Sequence, residues 1–270
     1  MKYELFMSDY DGTLGCAPYN DVDEETAAAI KEFTKKGGKF VLCTGRSFAS
    51  AKQILSTQNI KGFVACFQGA YIKNIDDGTV LFNGGINAKE ARELFMLLDE
   101  KNLDYVFYID DVLYCEMGNQ SYQQYLSVLS SSEVKELDSV GEFMKTNEGI
   151  VSKIVVTCEE DKSDEVAIAV EKLCAGTGFS VNCAVKGCVE IINPKHDKRN
   201  AVEIFSNYFK VGYDKILTIG DSNNDIGLID GEWHGVCVGD GNEQLKKLAK
   251  EITVPFKDKP VLKMLRKYCL

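Results

Sequence analysis

The chain has 270 residues and a formal net charge of -10, from 31 basic and 41 acidic side chains. This length suffices for one large α/β domain or for a domain with a substantial insertion, because single cores stop growing near ~250–300 residues. The negative charge repels nucleic acids and anionic bilayers, so neither is an expected partner. No signal-peptide pattern opens the sequence, and no window approaches the ~18 apolar residues of a membrane span. We therefore expect a soluble cytoplasmic protein, for which a monomer and a homodimer are both compatible with the sequence.

The ten cysteines are scattered along the chain, and none of them forms a CxxC pair. Several lie within apolar runs, as in VLCTG and GVCVG, where a reduced thiol behaves as a small hydrophobic side chain. The sequence thus favours buried free thiols over a disulfide framework or a zinc site. Only His196 and His234 are present, which leaves almost no material for a histidine triad or a multi-histidine metal site.

Strands and helices alternate in the first 82 residues. An apolar strand across Tyr3–Met7 is followed by a helix that begins in the acidic segment Asp21–Glu25 and ends at Gly37–Gly38. The spacing of strand, helix and strand is typical of a βαβ crossover, so the strands should be parallel and should end at one edge of the sheet. Further predicted elements are a strand over 39–44, a helix from Arg46, a strand over 63–67 and a hairpin of strands 71–75 and 79–82.

The pattern changes between residues 83 and 187, where tight turns between neighbouring strands indicate antiparallel pairing. We interpret this segment as an inserted α+β domain. The elements predicted within it are helices 88–101, 119–130 and 164–175 and strands 104–109, 112–116, 153–158 and 179–185.

The alternation typical of a parallel sheet returns after a strand at 188–193. It continues with helix 199–209, strand 215–220, a helix from Asn224, strand 235–239, a helix near 243–250, strand 251–254 and a final helix. The predicted fold class is therefore α/β, with a doubly wound parallel sheet as its core. Residues 1–82 and 188–270 are predicted to form this core domain, and residues 83–187 the inserted domain.

The carboxyl ends of the predicted parallel strands carry many polar side chains. In a doubly wound sheet, ligands bind beyond these ends, near the point where the strand order reverses. Asp9 and Asp11 leave the first strand together, and such a carboxylate pair suits a hard cation. Each residue alone could serve an ordinary turn or helix start, but their order along the chain favours one shared site. The residues predicted at this edge are Asp9, Asp11, Thr13, Thr44, Arg46, Lys198, Asp221, Asn224 and Asp225.

The motifs DYDGT, TGR, a lysine at a helix start and GDSNND, in this order, resemble those of the haloacid dehalogenase-like (HAD) hydrolase superfamily. The resemblance is strongest to the Cof-type sugar-phosphate phosphatases, and it covers essentially the whole chain. It implies a Rossmann-like core with an α/β cap inserted between the second and third motifs. Two segments depart from the pattern: Gln68 stands where Asn-Gly-Ala has its asparagine, and the loop Val238–Glu243 also differs.

The resemblance also implies a role for each site residue. Asp9 is the expected nucleophile, and Asp11 is the expected acid/base that protonates the leaving oxygen and later activates water. Mg²⁺ is the expected cofactor, held by the Asp9 carboxylate, the Asp11 carbonyl oxygen and the Asp221 carboxylate. Asp225 is expected to orient these ligands. The residues expected to bind the substrate phosphate are Thr44, Gly45, Lys198, Asn224 and Arg46, with a surface ion pair as the alternative for Arg46.

These expectations lead to one main hypothesis and two alternatives. The main hypothesis is a Mg²⁺-dependent phosphatase of small phosphorylated metabolites, sugar phosphates foremost, that works through an aspartyl phosphate. A phosphomutase would use the same intermediate but return the phosphoryl group to a sugar. A non-catalytic regulator would bind phospho-ligands without turnover. Dehalogenation is disfavoured, because a halide leaving group does not need the acid/base at Asp11.

Overall fold

The computed structural model describes residues 1–16, 21–119, 125 and 133–270 of the chain. These residues form two units. The core unit consists of Met1–Phe82 and His196–Leu270, and the inserted unit consists of Asn83–Lys195. The predicted fold class, a doubly wound α/β core interrupted by an α+β segment, is confirmed.

The elements alternate in the core unit and are grouped differently in the inserted unit. Within the described residues the strands, in chain order, are β1 Leu5–Ser8, β2 Lys39–Cys43, β3 Phe63–Cys66, β4 Tyr71–Asn74, β5 Val80–Asn83, β6 Tyr105–Ile109, β7 Val112–Glu116, β8 Val134–Leu137, β9 Val151–Thr157, β10 Ser180–Val185, β11 Cys188–Ile192, β12 Ile216–Gly220, β13 His234–Cys237 and β14 Glu251–Ile252. The α-helices described in the same segments are Glu24–Lys35, Phe48–Thr57, Ala88–Glu100, Val140–Thr146, Ser163–Cys174, Lys198–Phe209, Ile226–Ile229, Glu243–Leu248 and Pro260–Tyr268.

The large sheet has the strand order β14-β13-β12-β1-β2-β3-β4-β5. The pairs from β14 to β3 are parallel, and β4 joins β3 in the antiparallel direction. The chain moves outward from β1 through β2 to β3, and it later resumes at β12 on the other side of β1. The strand order therefore reverses between β1 and β12, which is where ligands bind in sheets of this type.

Burial on both faces of the large sheet explains why its strands have continuous apolar runs. All four residues of β1 are buried, as expected for a parallel strand covered by helices on both sides. On one face, Phe6 packs against Phe33 of the helix Glu24–Lys35, with ring centroids 6.5 Å apart. On the other face, Phe205 of the helix Lys198–Phe209 packs against Phe63 at 5.7 Å. Helical spacing in the sequence thus places one apolar side of each helix on the sheet.

A cap residue sets the start of the helix Lys198–Phe209. The Asp197 carboxylate accepts a hydrogen bond from the N–H of Asn200 at 3.0 Å, which satisfies one donor of the first turn. Lys198 is therefore the first helical residue. Its side chain is buried, since Lys198 is only 1% exposed.

The inserted unit contains a six-stranded sheet with the order β10-β11-β9-β6-β7-β8. Neighbouring strands from β10 to β7 are antiparallel, whereas β8 is parallel to β7. One face of this sheet packs on helices, and Phe95 of the helix Ala88–Glu100 stacks on Tyr105 of β6 with centroids 5.0 Å apart. This unit therefore has an apolar core of its own.

The predicted second domain boundary, between residues 187 and 188, is wrong. The strand Cys188–Ile192 pairs with β10 and β9 of the inserted unit, and the boundary falls after Lys195. The strand Val134–Leu137 and the helix Val140–Thr146 were not predicted, because both are too short for their apolar residues to show a clear period. The predicted helix 119–130 falls on a segment in which only Asn119 and Tyr125 belong to the described residues.

Two sequence-based expectations concern the chain as a whole. All ten cysteines are free thiols, and most of them are buried, as predicted. Among the residues that the structure describes, none of the helices combines the length and apolar character needed to cross a membrane.

Replacement of Phe205 by alanine should destabilise the core unit strongly. The side chain is fully buried, and loss of such an aromatic ring costs about 3–5 kcal/mol in the free energy of unfolding. Urea unfolding can be followed by the fluorescence of Trp233, the single tryptophan, which belongs to the same apolar cluster. Tyr208→Ala on the same helix is the control, because Tyr208 is 49% exposed. Equal losses in the two variants would contradict the assignment of Phe205 to the core.

Candidate active site

The candidate site lies at the carboxyl ends of β1 and β12, where the strand order reverses. Asp9 follows β1, and its backbone N–H donates to the carbonyl of Ile219 in β12 at 3.0 Å. Asp221 follows β12 directly. Since β1 and β12 are parallel neighbours, both aspartates leave the sheet at the same edge.

A buried lysine joins two carboxylates at this edge. The Lys198 Nζ lies 2.6 Å from Asp9 Oδ1 and 2.6 Å from Asp225 Oδ1. The Lys198 and Asp225 side chains are fully buried, and that of Asp9 is 5% exposed. Burial disfavours the ammonium, but the charges of Asp225 and Asp9 raise the pKa of Lys198 above its ordinary value. Lys198 is therefore a fixed positive charge within the site.

Asp225 organises the turn that follows β12. Its Oδ2 accepts hydrogen bonds from the N–H groups of Asp221 at 2.9 Å and Ser222 at 3.1 Å. Its Oδ1 accepts from Lys198. Both carboxylate oxygens of Asp225 thus already have protein partners, which suits it to orienting neighbouring groups rather than to binding a ligand itself.

Two residues of the DYDGT motif fix the side chain of Asp221. The Thr13 hydroxyl donates to Asp221 Oδ1 at 2.8 Å. Gly12 has a φ of 81°, and a Cβ at this position would lie 2.7 Å from Asp221 Oδ2. Both the left-handed backbone and this close approach require glycine. The DYDGT motif near the start of the chain and the GDSNND motif near its end are therefore in direct contact, and this contact fixes the position of the Asp221 carboxylate.

The loop whose sequence departs from the family pattern contacts the site through its backbone. The N–H of Asn242 donates to the Asp221 carbonyl at 2.7 Å. A Cβ at Gly241 would lie 2.8 Å from the same oxygen. The contact depends on a backbone N–H and on a glycine, so it does not require the usual side chains at the other positions of the loop.

The carboxylate cluster fits a divalent cation. Oxygens of Asp9, Asp221 and Asp225 all lie within 4.8 Å of one another. Because both oxygens of Asp225 already accept hydrogen bonds, Asp9 and Asp221 are the carboxylates with capacity for a hard cation such as Mg²⁺.

The electrostatics of the two aspartates agree with a cation between them. Burial and the charge of Asp225 raise the pKa of Asp221 to about 6, although the hydrogen bond from Thr13 opposes this change. Burial and Asp225 also raise the pKa of Asp9, although Lys198 opposes this change. A bound cation would relieve this repulsion. The Asp11 carbonyl ligand stays a prediction.

Asp11 occupies a different environment from Asp9. Its side chain is 51% exposed and forms a two-pronged ion pair with Arg46, from Nε at 2.9 Å and Nη2 at 2.6 Å. The Arg46 guanidinium also lies over the Tyr10 ring, with Cζ 4.7 Å from the centroid. The ion-pair alternative for Arg46 is thus observed, and its partner is the expected acid/base.

Thr44 lies beside these groups at the end of β2. It is 1% exposed, and its hydroxyl oxygen accepts the N–H of Arg46 at 3.2 Å. Ser47 then caps the helix Phe48–Thr57 by accepting the N–H of Ser50 at 3.3 Å. The turn containing Gly45 therefore leads directly into a helix N-terminus, where anions are favoured.

The structure does not place all predicted site residues together. It brings Asp9, Lys198, Asp221 and Asp225 into one group, whereas Asn224 is exposed and its Oδ1 accepts a hydrogen bond from Ser222 at 2.5 Å. The close approaches that require Gly12, Gly241 and, as described below, Gly45 could not be predicted, because they join segments far apart in the sequence.

Replacement of Asp225 by asparagine should lower the free energy of unfolding by about 3–5 kcal/mol, because it leaves a buried ammonium with one carboxylate instead of two. Urea unfolding measures the change. The control is Asp164→Asn in the inserted unit, where the 85% exposed carboxylate pairs with Lys186. Such an exposed ion pair contributes little to stability. If Asp225→Asn were as stable as the control, the buried group would not hold this edge together.

Comparison with known proteins agrees with this geometry. A protein of Buchnera aphidicola subsp. Baizongia pistaciae, whose name suggests a phosphatase, is 26% identical over 250 residues, which cover 91% of this chain and 90% of that protein. The crystal structure of a haloacid dehalogenase-like hydrolase from Bacteroides thetaiotaomicron matches with a TM-score of 0.83 at 19% identity, over 98% of this chain and 99% of the other.

The structure of the HAD subclass IIB sugar phosphatase BT4131 matches with a TM-score of 0.75 at 17% identity, over 98% of both chains. At these identities the structural matches establish the fold. The model of one family, described as haloacid dehalogenase-like hydrolase, matches residues 6–265. Together with the order of the motifs and the cluster of Asp9, Asp221 and Asp225 carboxylates, this match shows that the chain belongs to the haloacid dehalogenase-like hydrolases.

Proposed function

We propose that the protein is a Mg²⁺-dependent phosphatase that hydrolyses small phosphorylated metabolites through a phosphate ester of Asp9. The observation that carries the proposal is the buried Lys198, which holds the Asp9 carboxylate at 2.6 Å next to Asp221. A carboxylate fixed by one oxygen keeps the other for attack on phosphorus. Membership of a hydrolase family supports the same chemistry.

The first step transfers the phosphoryl group to Asp9. The free oxygen of Asp9 forms a bond to phosphorus while the bond between phosphorus and the leaving oxygen breaks. In this step the Asp11 carboxylate leaves its ion pair with Arg46, takes up a proton from water and donates it to the leaving oxygen, which departs as an alcohol. Mg²⁺ held by Asp9, Asp221 and the Asp11 carbonyl would supply positive charge that draws the phosphate oxygens toward the carboxylates.

The second step regenerates the enzyme. Water gives a proton to the Asp11 carboxylate and bonds to phosphorus, which releases inorganic phosphate and frees Asp9. Asp11 then gives this proton to solvent and pairs again with Arg46, which holds both of its oxygens and orients the acid/base in the resting protein. Thr44, Gly45 and Lys198 contact the non-attacking phosphate oxygens in this proposal, with the N-terminus of the helix Phe48–Thr57 beside them.

The proposed substrates are sugar phosphates and similar small metabolites. BT4131, which shares this fold, is named as a sugar phosphatase. The net charge of -10 disfavours long polyanions such as nucleic acids. We place the activity in the cytoplasm, in a monomer or a homodimer, and retain Asn224 as a further phosphate contact that would require a change of its exposed side chain.

The proposal predicts different effects for the two aspartates of the DYDGT motif. Asp9→Asn should reduce phosphate release to background, because the nucleophile is lost. Asp11→Asn should lower kcat by about 10²–10⁴-fold, which is typical for loss of a general acid/base, and should retain Mg²⁺ binding. The measurement is release of inorganic phosphate from a panel of phosphomonoesters in the presence of Mg²⁺. Asp164→Asn again serves as the control.

Full activity of Asp9→Asn, or no phosphate release by the wild type from any panel member, would refute the proposed function. Product analysis by NMR separates the alternatives. An isomerised sugar phosphate with little free phosphate would indicate a phosphomutase. Binding of phospho-ligands without any turnover would indicate a regulator.

Mg²⁺ should also stabilise the folded protein. A ligand that binds only the folded state raises the free energy of unfolding by about 2.7 kcal/mol at 100 times its dissociation constant. We therefore expect Mg²⁺ alone to raise the melting temperature of the wild type, and EDTA to reverse the rise. Asp221→Asn should lose most of this response, and Asp164→Asn should keep it. A full response in Asp221→Asn would exclude this carboxylate as a cation ligand.

A further inference from the structure

Gln68 lies directly after β3, beside the turn that ends β2. Its backbone N–H donates to the Thr44 carbonyl at 2.9 Å. The N–H of Phe67 donates to the Arg46 carbonyl at 3.1 Å. The segment that contains Gln68 is therefore joined by two backbone hydrogen bonds to the proposed phosphate-binding turn.

The backbone of this segment is held in an unfavourable conformation. Phe67, Gln68 and Gly69 have φ angles of 50°, 62° and 109°, so three consecutive residues have positive φ. This region is unfavourable for residues other than glycine and persists where surrounding contacts fix it, often at functional sites. A Cβ at Gly69 would lie 2.4 Å from the carbonyl of Asp197. The segment is thus fixed between the turn after β2 and the start of the helix Lys198–Phe209.

The conformation places an unpaired amide next to Gly45. Gln68 is 9% exposed, and its Oε1 is buried without a hydrogen-bond partner. Within the described part of the chain, no hydrogen bond uses its Nε2 either. A Cβ at Gly45 would lie 2.5 Å from Nε2. Glycine at position 45 thus leaves the space that the amide nitrogen occupies. A buried amide oxygen without a partner is unfavourable, and the Nε2–H group of the same amide has its donors available to a ligand.

We propose that Gln68 is a further phosphate-binding residue, whose Nε2–H group donates to a non-bridging oxygen of the phosphoryl group beside Thr44 and Gly45. The inference rests on the proposed function, because it requires a phosphate at this turn. The amide is a neutral donor, so it adds a contact without changing the charge of the site. The position at which the sequence departs from the Asn-Gly-Ala pattern is therefore assigned a role in binding.

The test is the affinity for inorganic phosphate in the presence of Mg²⁺, measured by isothermal titration calorimetry on the wild type and Gln68→Met. Methionine keeps the length of the side chain but removes the donor. The dissociation constant should rise by about tenfold or more, as expected for loss of one hydrogen bond to a charged group. The melting temperature should be unchanged or higher, because a buried oxygen without a hydrogen-bond partner is removed. In turnover, KM should change more than kcat.

A second variant and a control complete the design. Gln68→Glu has nearly the shape of the native side chain, and it should lose more affinity than Gln68→Met because its carboxylate repels phosphate. Gln58→Met, at the far end of the helix Phe48–Thr57, should bind phosphate like the wild type. Unchanged phosphate affinity in either folded variant of Gln68 would overturn the inference and leave the phosphatase proposal intact. If the wild type neither bound phosphate nor released it from phosphomonoesters, the proposed function would fail instead.

Discussion

The site depends on one buried positive charge. The Lys198 ammonium has no solvent exposure and lies 2.6 Å from carboxylates of both Asp9 and Asp225. An unpaired charge in such a place would be strongly unfavourable, so these three groups must remain together. They come from the end of β1, from the turn after β12 and from the first turn of the helix Lys198–Phe209. One ion-paired group therefore fixes the relative positions of three chain segments, and all the other contacts of the site are arranged around it.

The charge balance around this group distinguishes two kinds of aspartate. Asp9, Asp221 and Asp225 carry three negative charges when ionised, and their oxygens lie within 4.8 Å of one another. Lys198 contributes one positive charge, so the group has a net charge of minus two. A divalent cation neutralises that excess. Asp11 and Arg46 compensate each other in a more exposed pair and add nothing to it. Environment thus separates the buried Asp9 from Asp11, which are only two residues apart, and different environments suit a nucleophile and an acid/base.

The sequence predicted the parts of the structure that follow from parallel topology. Strand ends that carry Asp9, Thr44 and Asp221 had to meet at one edge once the βαβ alternation was recognised. The second domain boundary could not be found in this way, because Cys188–Ile192 has the apolar pattern of a strand in either sheet. Its partners, β9 and β10, are determined by pairing that the local pattern does not encode.

Side-chain contacts between segments that are distant in the sequence could not be predicted from it either. Nothing in the TGR motif indicates that Arg46 binds Asp11 instead of solvent or substrate, because the choice depends on the distance between two loops. The same holds for Gly12, which the local pattern explains as an ordinary turn residue. Its necessity comes from Asp221, more than 200 positions away, whose Oδ2 leaves no room for a Cβ. Gln68, whose positive φ breaks a local backbone preference, lies at this same edge of the sheet. Such conflicts persist where surrounding contacts fix the backbone, often at functional sites, and a sequence read segment by segment cannot show which contacts these are.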